Sequence, residues 1–370
     1  NLMRLFVDPF NPNSYQEKKM KVDKELLKAS SRAGSTADGH QDPWADMSLP
    51  GVVKIRSLVV DLRKPHFNNN ENIINQNFLS DQFRGCSIHE LTRDLSGLNS
   101  QQEIAAKMIV RARDYVLLLG MPGTGKSSTL AFTIRALVAK GHRVLVTSYT
   151  HSAVDSLIIK VKESGMDSSA VIRVGSKTSI NKNLHEYVLD TSVLKSSDLL
   201  KNKLLKARVV ACTVLAASTE QILNNIEFDY CIVDEAGQIT QPAALGGLLL
   251  SKRFVLVGDD YQLPPLVLSN EAQSHGMDVS LFKRLAEAHP DAVVSLSQQY
   301  RMNAEIMQIS NALIYDGRLK CGNETVARGR LRLSNAPDVS ISQLSSWLRQ
   351  CLDVNQPVVF VNTNKLTCAS

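Results

Sequence analysis

The fold is decided by Tyr115-Val116-Leu117-Leu118-Leu119 and by the residues that follow at once, Gly120-Met121-Pro122-Gly123-Thr124-Gly125-Lys126-Ser127. The second stretch satisfies the P-loop pattern G-x-x-x-x-G-K-[ST], and it stands where phosphate binding requires, between an apolar strand and an amphipathic helix. Glycines are needed because the backbone must fold around phosphates with its N–H groups pointing inward. The pattern predicts a nucleoside triphosphate site; the alternative is a glycine-rich turn that matches by chance.

The P-loop pattern also gives roles to particular side chains. Lys126 is expected to reach the β- and γ-phosphates, and Ser127 is expected to ligate Mg²⁺. The amino end of the following helix adds positive potential. The other loop and helix-start residues predicted to bind the nucleotide are Gly120, Pro122, Gly123, Thr124, Gly125 and Ser128.

A second acidic site follows another apolar run, residues 228–233, which ends in Asp234-Glu235-Ala236. Asp234 is expected to hold Mg²⁺, and Glu235 to orient and polarise the attacking water. Adjacent carboxylates after an apolar strand can also cap a helix. Together with the P-loop, the pair predicts a nucleoside triphosphate hydrolase. A guanine-reading Asn-Lys-x-Asp is absent from the sequence, which argues against a GTPase, whereas small-molecule kinases stay open.

After Leu98, short apolar runs alternate with helical patterns. Predicted strands cover residues 115–119, 143–147, 170–174, 209–212, 228–233, 254–257, 293–296 and 358–361, and predicted helices cover 127–140, 152–162 and 280–287. Strands of near-continuous Val, Ile and Leu separated by helices indicate an α/β fold with a parallel sheet that is covered on both faces. Ligands are then expected at the carboxyl ends of the strands.

Composition sets wider limits. The 370 residues are 44% hydrophobic and 21% charged, as in ordinary globular proteins. No run approaches the roughly 18 apolar residues of a membrane-spanning helix, which excludes an integral membrane protein. The net charge of +6 permits nucleic-acid binding without requiring it. The six cysteines form no CxxC pair, which favours a reducing compartment and does not indicate a cysteine-ligated metal.

Three regions are predicted along the chain: an accessory segment at 1–97, a first ATPase domain at 98–296 and the beginning of a second domain at 297–370. The first region is polar and irregular, with one expected helix over 16–27 and a strand or short helix over 55–62. Because the sequence starts at Asn1 and lacks an initiator Met, it is interpreted as a fragment or an incomplete gene model.

Six motifs occur in a fixed order. They are Leu98-Asn99-Ser100-Gln101-Gln102, the P-loop, residues 147–155, Asp234-Glu235-Ala236, Gly258-Asp259 through Gln262-Leu263-Pro264-Pro265, and Gln299-Tyr300-Arg301-Met302. This set resembles superfamily 1 helicases of the group that includes the nonsense-mediated-decay RNA helicase. Within that group it is most similar to the eukaryotic DNA replication ATP-dependent helicase/nuclease family, over roughly residues 55–370. The resemblance implies RecA-like P-loop NTPase domains.

The resemblance further implies that Gln102 contacts the adenine edge, as a carboxamide can. The alternative is an exposed glutamine at a helix start. Gln262 is implied to sense the γ-phosphate. Arg301 matches an arginine finger and Tyr300 a residue that stacks on adenine. Arg301 could equally be a salt-bridged residue at a helix start.

The same resemblance places single-stranded nucleic acid near Thr147, Ser148, Thr150 and Thr213. Hydroxyls and free N–H groups at a strand end contact phosphates without reading bases, as a translocating motor requires. Helix capping by Thr150 or Ser152 is compatible with this role. His151 is interpreted either as a structural hydrogen-bond donor or as a phosphate contact.

The sequence departs from the family pattern at Gly237, where serine is common, and at Asp260-Tyr261. The resemblance implies a 5′–3′ motor on single-stranded DNA in a replication or repair enzyme, with ATP and Mg²⁺ as its cofactors. It further implies an iron–sulfur cluster in an upstream nuclease domain, a nuclear location with mitochondria as a second compartment, and single-strand-binding and replication or repair proteins as partners. Because Ser370 leaves only the start of a second RecA-like domain, weak or absent motor activity is expected. An RNA helicase and a non-hydrolysing ATP-binding scaffold are the competing hypotheses.

Overall fold

The computed structural model describes residues 51–68, 88–189, 203–223, 226–331 and 346–362. These residues belong to two compact units. The first unit contains the described residues up to Leu119 together with Ser127–Ser295, and the second contains Gly120–Lys126 together with the described residues from Leu296 onward.

The first unit is built on an eight-stranded sheet. Its strands are β1 (Tyr115–Gly120), β2 (Val144–Ser148), β3 (Val171–Val174), β4 (Val188–Leu189), β5 (Val209–Thr213), β6 (Phe228–Asp234), β7 (Ser251–Gly258) and β8 (Val293–Leu296). Their order is β4-β3-β5-β2-β6-β7-β1-β8. The pairs from β4 through to β1 are parallel, which agrees with the predicted α/β class.

The central strands are buried along their whole length, because nearly every residue in them is apolar. All residues of β1, β2 and β5 are buried, so both faces of the sheet are covered. The α-helices of this unit are Gly51–Val59, Ile88–Ser96, Ser100–Arg111, Lys126–Ala139, His151–Glu163, Val214–Thr219, Gln241–Leu248, Asn270–Ser274 and Leu281–Ala288. Within the described ranges, no helix is long and apolar enough to cross a membrane.

The register at the carboxyl edge of the sheet brings three polar residues into one row. Ser148 at the end of β2 is aligned with Thr213 of β5 on one side and with Asp234 of β6 on the other. β6 is separated from β1 by β7 alone. The acidic motif therefore lies at the edge of the sheet where ligands bind in parallel α/β folds.

The segment 51–68 is part of the first unit and not a separate accessory element. Ile55 and Leu58, on the helix Gly51–Val59, are at most 1% exposed and belong to the main hydrophobic core. Asp114 holds this segment, since its carboxylate accepts from Lys54 Nζ at 2.9 Å and from the main-chain N–H of His66 at 2.9 Å. The sequence left strand and helix open for 55–62, and the structure forms a helix that ends at Val59.

Seven of the eight predicted strands and the three predicted helices after the P-loop are present, with ends that shift by up to three residues. The strand predicted at 358–361 is wrong, because this described stretch pairs with no described neighbour. The two-residue strand β4 was missed because it is too short to show a period. The helix predicted at 16–27 lies outside the described residues.

The second unit is smaller. It contains the parallel pair β9 (Gln298–Gln299) and β10 (Lys320–Cys321) and the helices Ala304–Ser310, Glu324–Ala327 and Ser346–Leu352. Met121 of the P-loop packs with Tyr315 and Leu319 in a compact apolar cluster, which Met307 covers. The P-loop backbone is thus anchored in this unit by a side chain that the motif leaves unspecified.

Candidate nucleotide-binding site

The P-loop in the second unit has the backbone that its glycines predict. Gly123 and Gly125 have φ angles of +74° and +80°, a region that residues with a Cβ rarely adopt. The hydroxyl of Thr124 donates to the carbonyl of Met121 at 2.7 Å and closes the turn. The N–H of Met121 donates to the carbonyl of Leu296 at 3.3 Å. Because Thr124 is fully buried, its hydroxyl stabilises the loop.

The position of the Lys126 side chain explains why the first residue of the motif, Gly120, has no side chain. A Cβ added to Gly120 would lie 2.1 Å from Cγ of Lys126, so the lysine side chain passes directly over this position. Ser127 and Ser128 follow in the first turn of the helix that begins at Lys126. Ser128 is exposed, and its Oγ accepts from the ammonium group of Lys160 at 3.4 Å. A positive charge therefore lies beside Ser128 in the first turn of this helix.

The acidic motif in the first unit combines a buried carboxylate with a strained backbone. Asp234 is 6% exposed, and its Oδ1 accepts the N–H of Glu235 at 3.0 Å. Glu235 has left-handed dihedral angles, φ 53° and ψ 37°, which are unfavourable for a residue with a Cβ and occur mostly at functional positions. It precedes the turn Ala236–Gln238, and its side chain makes no capping hydrogen bond to that turn. The capping alternative is therefore not what holds Glu235 in place.

The structure gives a steric reason for glycine at position 237, where the family pattern commonly has serine. A Cβ at this position would lie 2.9 Å from the carbonyl oxygen of Asp259, and a Cβ at Gly258 would lie 2.8 Å from the nitrogen of Gly237. The backbone after β6 and the backbone at the end of β7 therefore touch. A serine at Gly237 would require the two segments to separate.

Asp259 is a site residue to which the sequence analysis gave no role. It is 2% exposed, Oδ1 accepts the N–H of Tyr261 at 3.1 Å and Oδ2 accepts from the amide Nε2 of Gln262 at 2.9 Å. The predicted γ-phosphate sensor Gln262 is itself exposed, so this carboxylate fixes its side chain. The available signal was an acidic residue directly after an apolar strand. Of the following prolines, Pro265 is buried and Pro264 is exposed.

Tyr300 and Arg301 lie in the second unit on the backbone of the P-loop. The N–H of Tyr300 donates to the carbonyl of Gly123 at 2.8 Å, and a Cβ at Gly123 would lie 2.7 Å from Cβ of Arg301. The next helix begins at Ala304, so Arg301 precedes it and is not its first residue. Among the described residues, no ion pair engages the guanidinium group of Arg301, which does not favour the salt-bridge alternative.

Gln102 is buried and forms a capping box. Its Oε1 accepts the N–H of Asn99 at 3.0 Å, while its own N–H donates to Oδ1 of Asn99 at 2.9 Å. The alternative of a solvent-exposed glutamine is wrong, since only 7% of the residue is exposed. The adenine contact stays a prediction, and the cap already uses one lone pair of the amide oxygen.

The four residues predicted to contact nucleic acid divide into two classes. Thr147 and Ser148 are at most 1% exposed, and within the described structure their hydroxyls have no hydrogen-bond partner. Neither presents its hydroxyl at the surface in this conformation, so these two predictions are not supported. Thr150 and Thr213 are helix N-caps. The hydroxyl of each accepts the main-chain N–H of the residue three positions further on, at 3.2 and 3.3 Å respectively. Thr150 is exposed, whereas Thr213 is 8% exposed.

A buried charged network lies behind the segment 147–155. Arg173 of β3 is fully buried, and its Nε donates to Oδ1 of Asp155 at 2.8 Å. Its other nitrogens contact Nδ1 of His151 at 3.1 Å and two main-chain carbonyls. Burial and the charge of Arg173 lower the pKa of His151 below its ordinary value, and Asp155 opposes them. A guanidinium group can only donate, so Nδ1 of His151 accepts in this contact. His151 therefore has a structural partner, but as an acceptor and not as the donor that the sequence suggested.

Comparison with known proteins agrees with these motifs. A family model described as an AAA domain matches residues 97–204 and 195–270, and a second model with the same description matches residues 277–369. The chain is 44% identical over 312 residues to the DNA replication ATP-dependent helicase/nuclease of Arabidopsis thaliana, covering 84% of this chain and 22% of the relative. Identity to the Homo sapiens protein with that description is 39% over 324 residues, covering 85% and 29%.

The chain spans about a fifth to a third of the length of these relatives. Among solved structures, an arterivirus nonstructural protein 10 helicase in complex with DNA has a TM-score of 0.35 and 16% identity, over 63% of this chain and 44% of that chain. The Pif1 helicase from Candida albicans has a TM-score of 0.33 and 18% identity, over 58% and 44%.

Proposed function

Since the chain belongs to the superfamily 1 helicases, in the group of the DNA replication ATP-dependent helicase/nucleases, we propose that it carries the ATP-hydrolysing part of a motor that moves along single-stranded DNA. The observation that carries the proposal is the acidic motif: buried Asp234 is followed by Glu235 in a strained left-handed conformation. Strain of this kind costs about 1–3 kcal/mol per residue and clusters at active sites. It fixes the direction of a carboxylate that is only partly exposed.

In this proposal the P-loop binds the triphosphate of ATP. Its N–H groups and the ammonium group of Lys126 hold the β- and γ-phosphates. Glu235 orients the attacking water and accepts its proton, and Arg301 stabilises the charge that develops on the transferred phosphoryl group. Gln262, fixed by Asp259, reports the state of the γ-phosphate to the rest of the chain.

The side chains at this site suit a hard cation. The carboxylate of Asp234 and the hydroxyl of Ser127 are the oxygen ligands that Mg²⁺ prefers, and both lie in the first unit. When bound, Mg²⁺ neutralises charge on the β- and γ-phosphates. Asp234 is tied to the N–H of Glu235 through one oxygen, which leaves the orientation of its second oxygen determined.

DNA as the polymer, 5′–3′ direction and a nuclear location, with mitochondria as a second compartment, belong to the same proposal. The descriptions of the relatives as DNA replication enzymes support DNA and the nucleus. The direction and the mitochondrial compartment are proposed from the family resemblance of the motifs. Thr150 and His151, at the start of the helix after β2, are the groups proposed to contact the strand, because Thr150 is exposed at the carboxyl edge of the sheet and His151 follows it. Single-strand-binding and repair proteins are proposed as partners.

The experiment is ATP hydrolysis by this chain alone, with single-stranded DNA and with RNA of the same length. Glu235→Gln is expected to lower kcat by about 10²–10⁴-fold, the range for loss of a general base. The matched control is Glu227→Gln, which changes an exposed carboxylate just before β6, at the opposite edge of the sheet.

Stimulation by DNA that Glu235→Gln abolishes and Glu227→Gln preserves supports the proposal. Greater stimulation by RNA moves the assignment to the RNA helicases. ATP binding without turnover on either polymer favours a nucleotide-binding scaffold.

A further inference from the structure

The side chain of Gln299 closes a turn around the two residues that follow Tyr300. Gln299 is fully buried. Its Oε1 accepts the N–H of Arg301 at 2.8 Å and the N–H of Met302 at 2.7 Å, and its Nε2 donates to the carbonyl of Met302 at 2.6 Å. One amide thus satisfies three main-chain groups of a turn that contains no helical or strand hydrogen bonds of its own. Loss of this amide would leave those groups unpaired.

The amide is itself fixed by its surroundings. Nε2 lies 3.3 Å from Sγ of Cys321 and 3.7 Å from Sδ of Met307. The carbonyl of Gln299 accepts the N–H of Gly322 at 2.8 Å, which ties its backbone to the end of β10. The two sulfur atoms are weak hydrogen-bond acceptors, so the amide nitrogen is directed toward the carbonyl of Met302. The orientation of the Gln299 side chain is therefore determined from three sides.

The turn contacts the P-loop on its other side. The N–H of Tyr300 donates to the carbonyl of Gly123, and the absence of a side chain at Gly123 is what admits Cβ of Arg301. The ring of Tyr300 lies against Gly322, where a Cβ would be 2.1 Å from Cε1. All these residues belong to the second unit. The backbone of Arg301 is thus held between the Gln299 amide and the P-loop.

The side chain of Arg301 has no comparable support. Arg301 is exposed, and no described residue makes a hydrogen bond or ion pair with its guanidinium group. An arginine carries about 2 kcal/mol of rotamer entropy, so its reach toward a phosphate is set mainly by where its Cα is held. The only side chain that bonds to the Arg301 backbone, among the described contacts, is Gln299.

We propose that Gln299 is a positioning residue that fixes Arg301 relative to the P-loop, and that it contributes to ATP hydrolysis only through Arg301. The inference rests on the proposed function, in which Arg301 acts on the transferred phosphoryl group. It assigns a chemical task to the first residue of the Gln-Tyr-Arg-Met motif, to which the family resemblance assigns no role.

The test combines Gln299→Leu with Arg301→Ala in a double-mutant cycle of ATP hydrolysis. Gln299→Leu is expected to lower kcat by about 100-fold, the cost of a misplacement near 1 Å, with the KM for ATP little changed. In the Arg301→Ala background the same change is expected to have no further effect. An equal loss in both backgrounds, or a loss that appears in KM alone, would overturn the inference.

Two further variants separate positioning from folding. Gln299→Glu keeps the oxygen that accepts the N–H groups of Arg301 and Met302 but loses the donor to the carbonyl of Met302, so its kcat is expected to lie between those of wild type and Gln299→Leu. Gln308→Leu, on an exposed face of the helix Ala304–Ser310, removes the same functional group and should not change kcat. If Gln299→Glu and Arg301→Ala fail to show non-additivity, Gln299 acts independently of Arg301.

A readout that needs no turnover is tryptic cleavage after Arg301, followed by mass spectrometry. The bond to Met302 is protected in wild type because both main-chain groups of Met302 are bonded to Gln299, and Gln299→Leu should cleave faster. Equal cleavage rates would overturn the inference even if ATP hydrolysis is confirmed. A wild-type chain without turnover would instead count against the proposed function, and the cleavage rates would still decide the role of Gln299.

Discussion

Replacement of Arg173 by methionine should destabilise the first unit strongly. The side chain of Arg173 is fully buried, and the side chain of its partner Asp155 is 6% exposed. Removal of one member of a buried ion pair leaves an uncompensated charge, which costs about 3–5 kcal/mol. Asp155 would keep only the N–H of Asn181, at 2.7 Å, as a described donor. We therefore expect a loss of about 4 kcal/mol in the free energy of unfolding.

The control is the double variant Arg173→Met/Asp155→Leu, which removes both charges from the same site. Because no isolated charge is left, this variant should be more stable than Arg173→Met alone. Urea denaturation followed by circular dichroism measures both. A cost below about 1 kcal/mol for the single variant, or a double variant as unstable as the sum of the two single ones, would refute the reasoning.

The imidazole of His151 supplies an independent readout of the same change. Burial and then the positive charge of Arg173 lower its pKa below the usual 6.5, against the attraction of Asp155. Arg173→Met removes the positive charge and leaves the carboxylate, so NMR titration should show a higher pKa. In wild type the folded state binds the proton at His151 less readily than the unfolded chain does, so acidification below about pH 6.5 favours the unfolded chain. This loss of stability should be smaller in the variant, in which the folded-state pKa is higher. An unchanged pKa would contradict the contact.

Two further predictions concern the base and the centre of the same sheet. Asp114→Asn should cost about 2 kcal/mol near neutral pH, because charged hydrogen bonds from Lys54 are lost. Burial raises the pKa of Asp114, but the ion pair with Lys54 and the hydrogen bonds outweigh burial and lower the pKa below 3.8. The difference in unfolding free energy between wild type and Asp114→Asn should therefore persist above about pH 4 and vanish in stronger acid, where the carboxylate of wild type is protonated. Cys212, whose pKa burial raises to about 12, and Cys231, whose pKa burial also raises, should resist alkylation at pH 8 in the native state, whereas Cys321 should react faster, as mass spectrometry can measure.

The sequence predicted the sheet well because its strands are apolar along their whole length. A run such as Tyr115-Val116-Leu117-Leu118-Leu119 favours a strand that is covered on both faces, and β1 is buried at every residue. The stretch at 358–361 has the same composition and forms no described strand, because pairing depends on a neighbour that composition does not specify. A strand of two residues such as β4 shows no hydrophobic period from which it could be predicted. It is recognised as a strand only by its pairing with β3.

The residues of the proposed ATP site can be named from the sequence because their spacing is fixed by the chemistry of phosphate. The supporting residues were not, since Asp259 and Gln299 act through hydrogen bonds to neighbours, and such contacts have no sequence pattern. The family resemblance placed the hydroxyls of Thr147 and Ser148 near nucleic acid. Their burial depends on strands β5 and β6 on either side of β2, which the local sequence does not reveal.

The motif G-x-x-x-x-G-K-[ST] leaves its third x unspecified, and in this chain that residue is Gly123. Inward-pointing N–H groups explain a glycine in the loop without explaining why it stands there. The structure gives a reason in the contact with Arg301, whose Cβ occupies the space that a side chain at Gly123 would need. At Gly120 the space that a side chain would need is occupied by a different neighbour, the side chain of Lys126. The two glycines therefore meet separate constraints, and the one at Gly123 ties the phosphate loop to a motif about 180 residues further along the chain, so a substitution at either motif changes the fit of both.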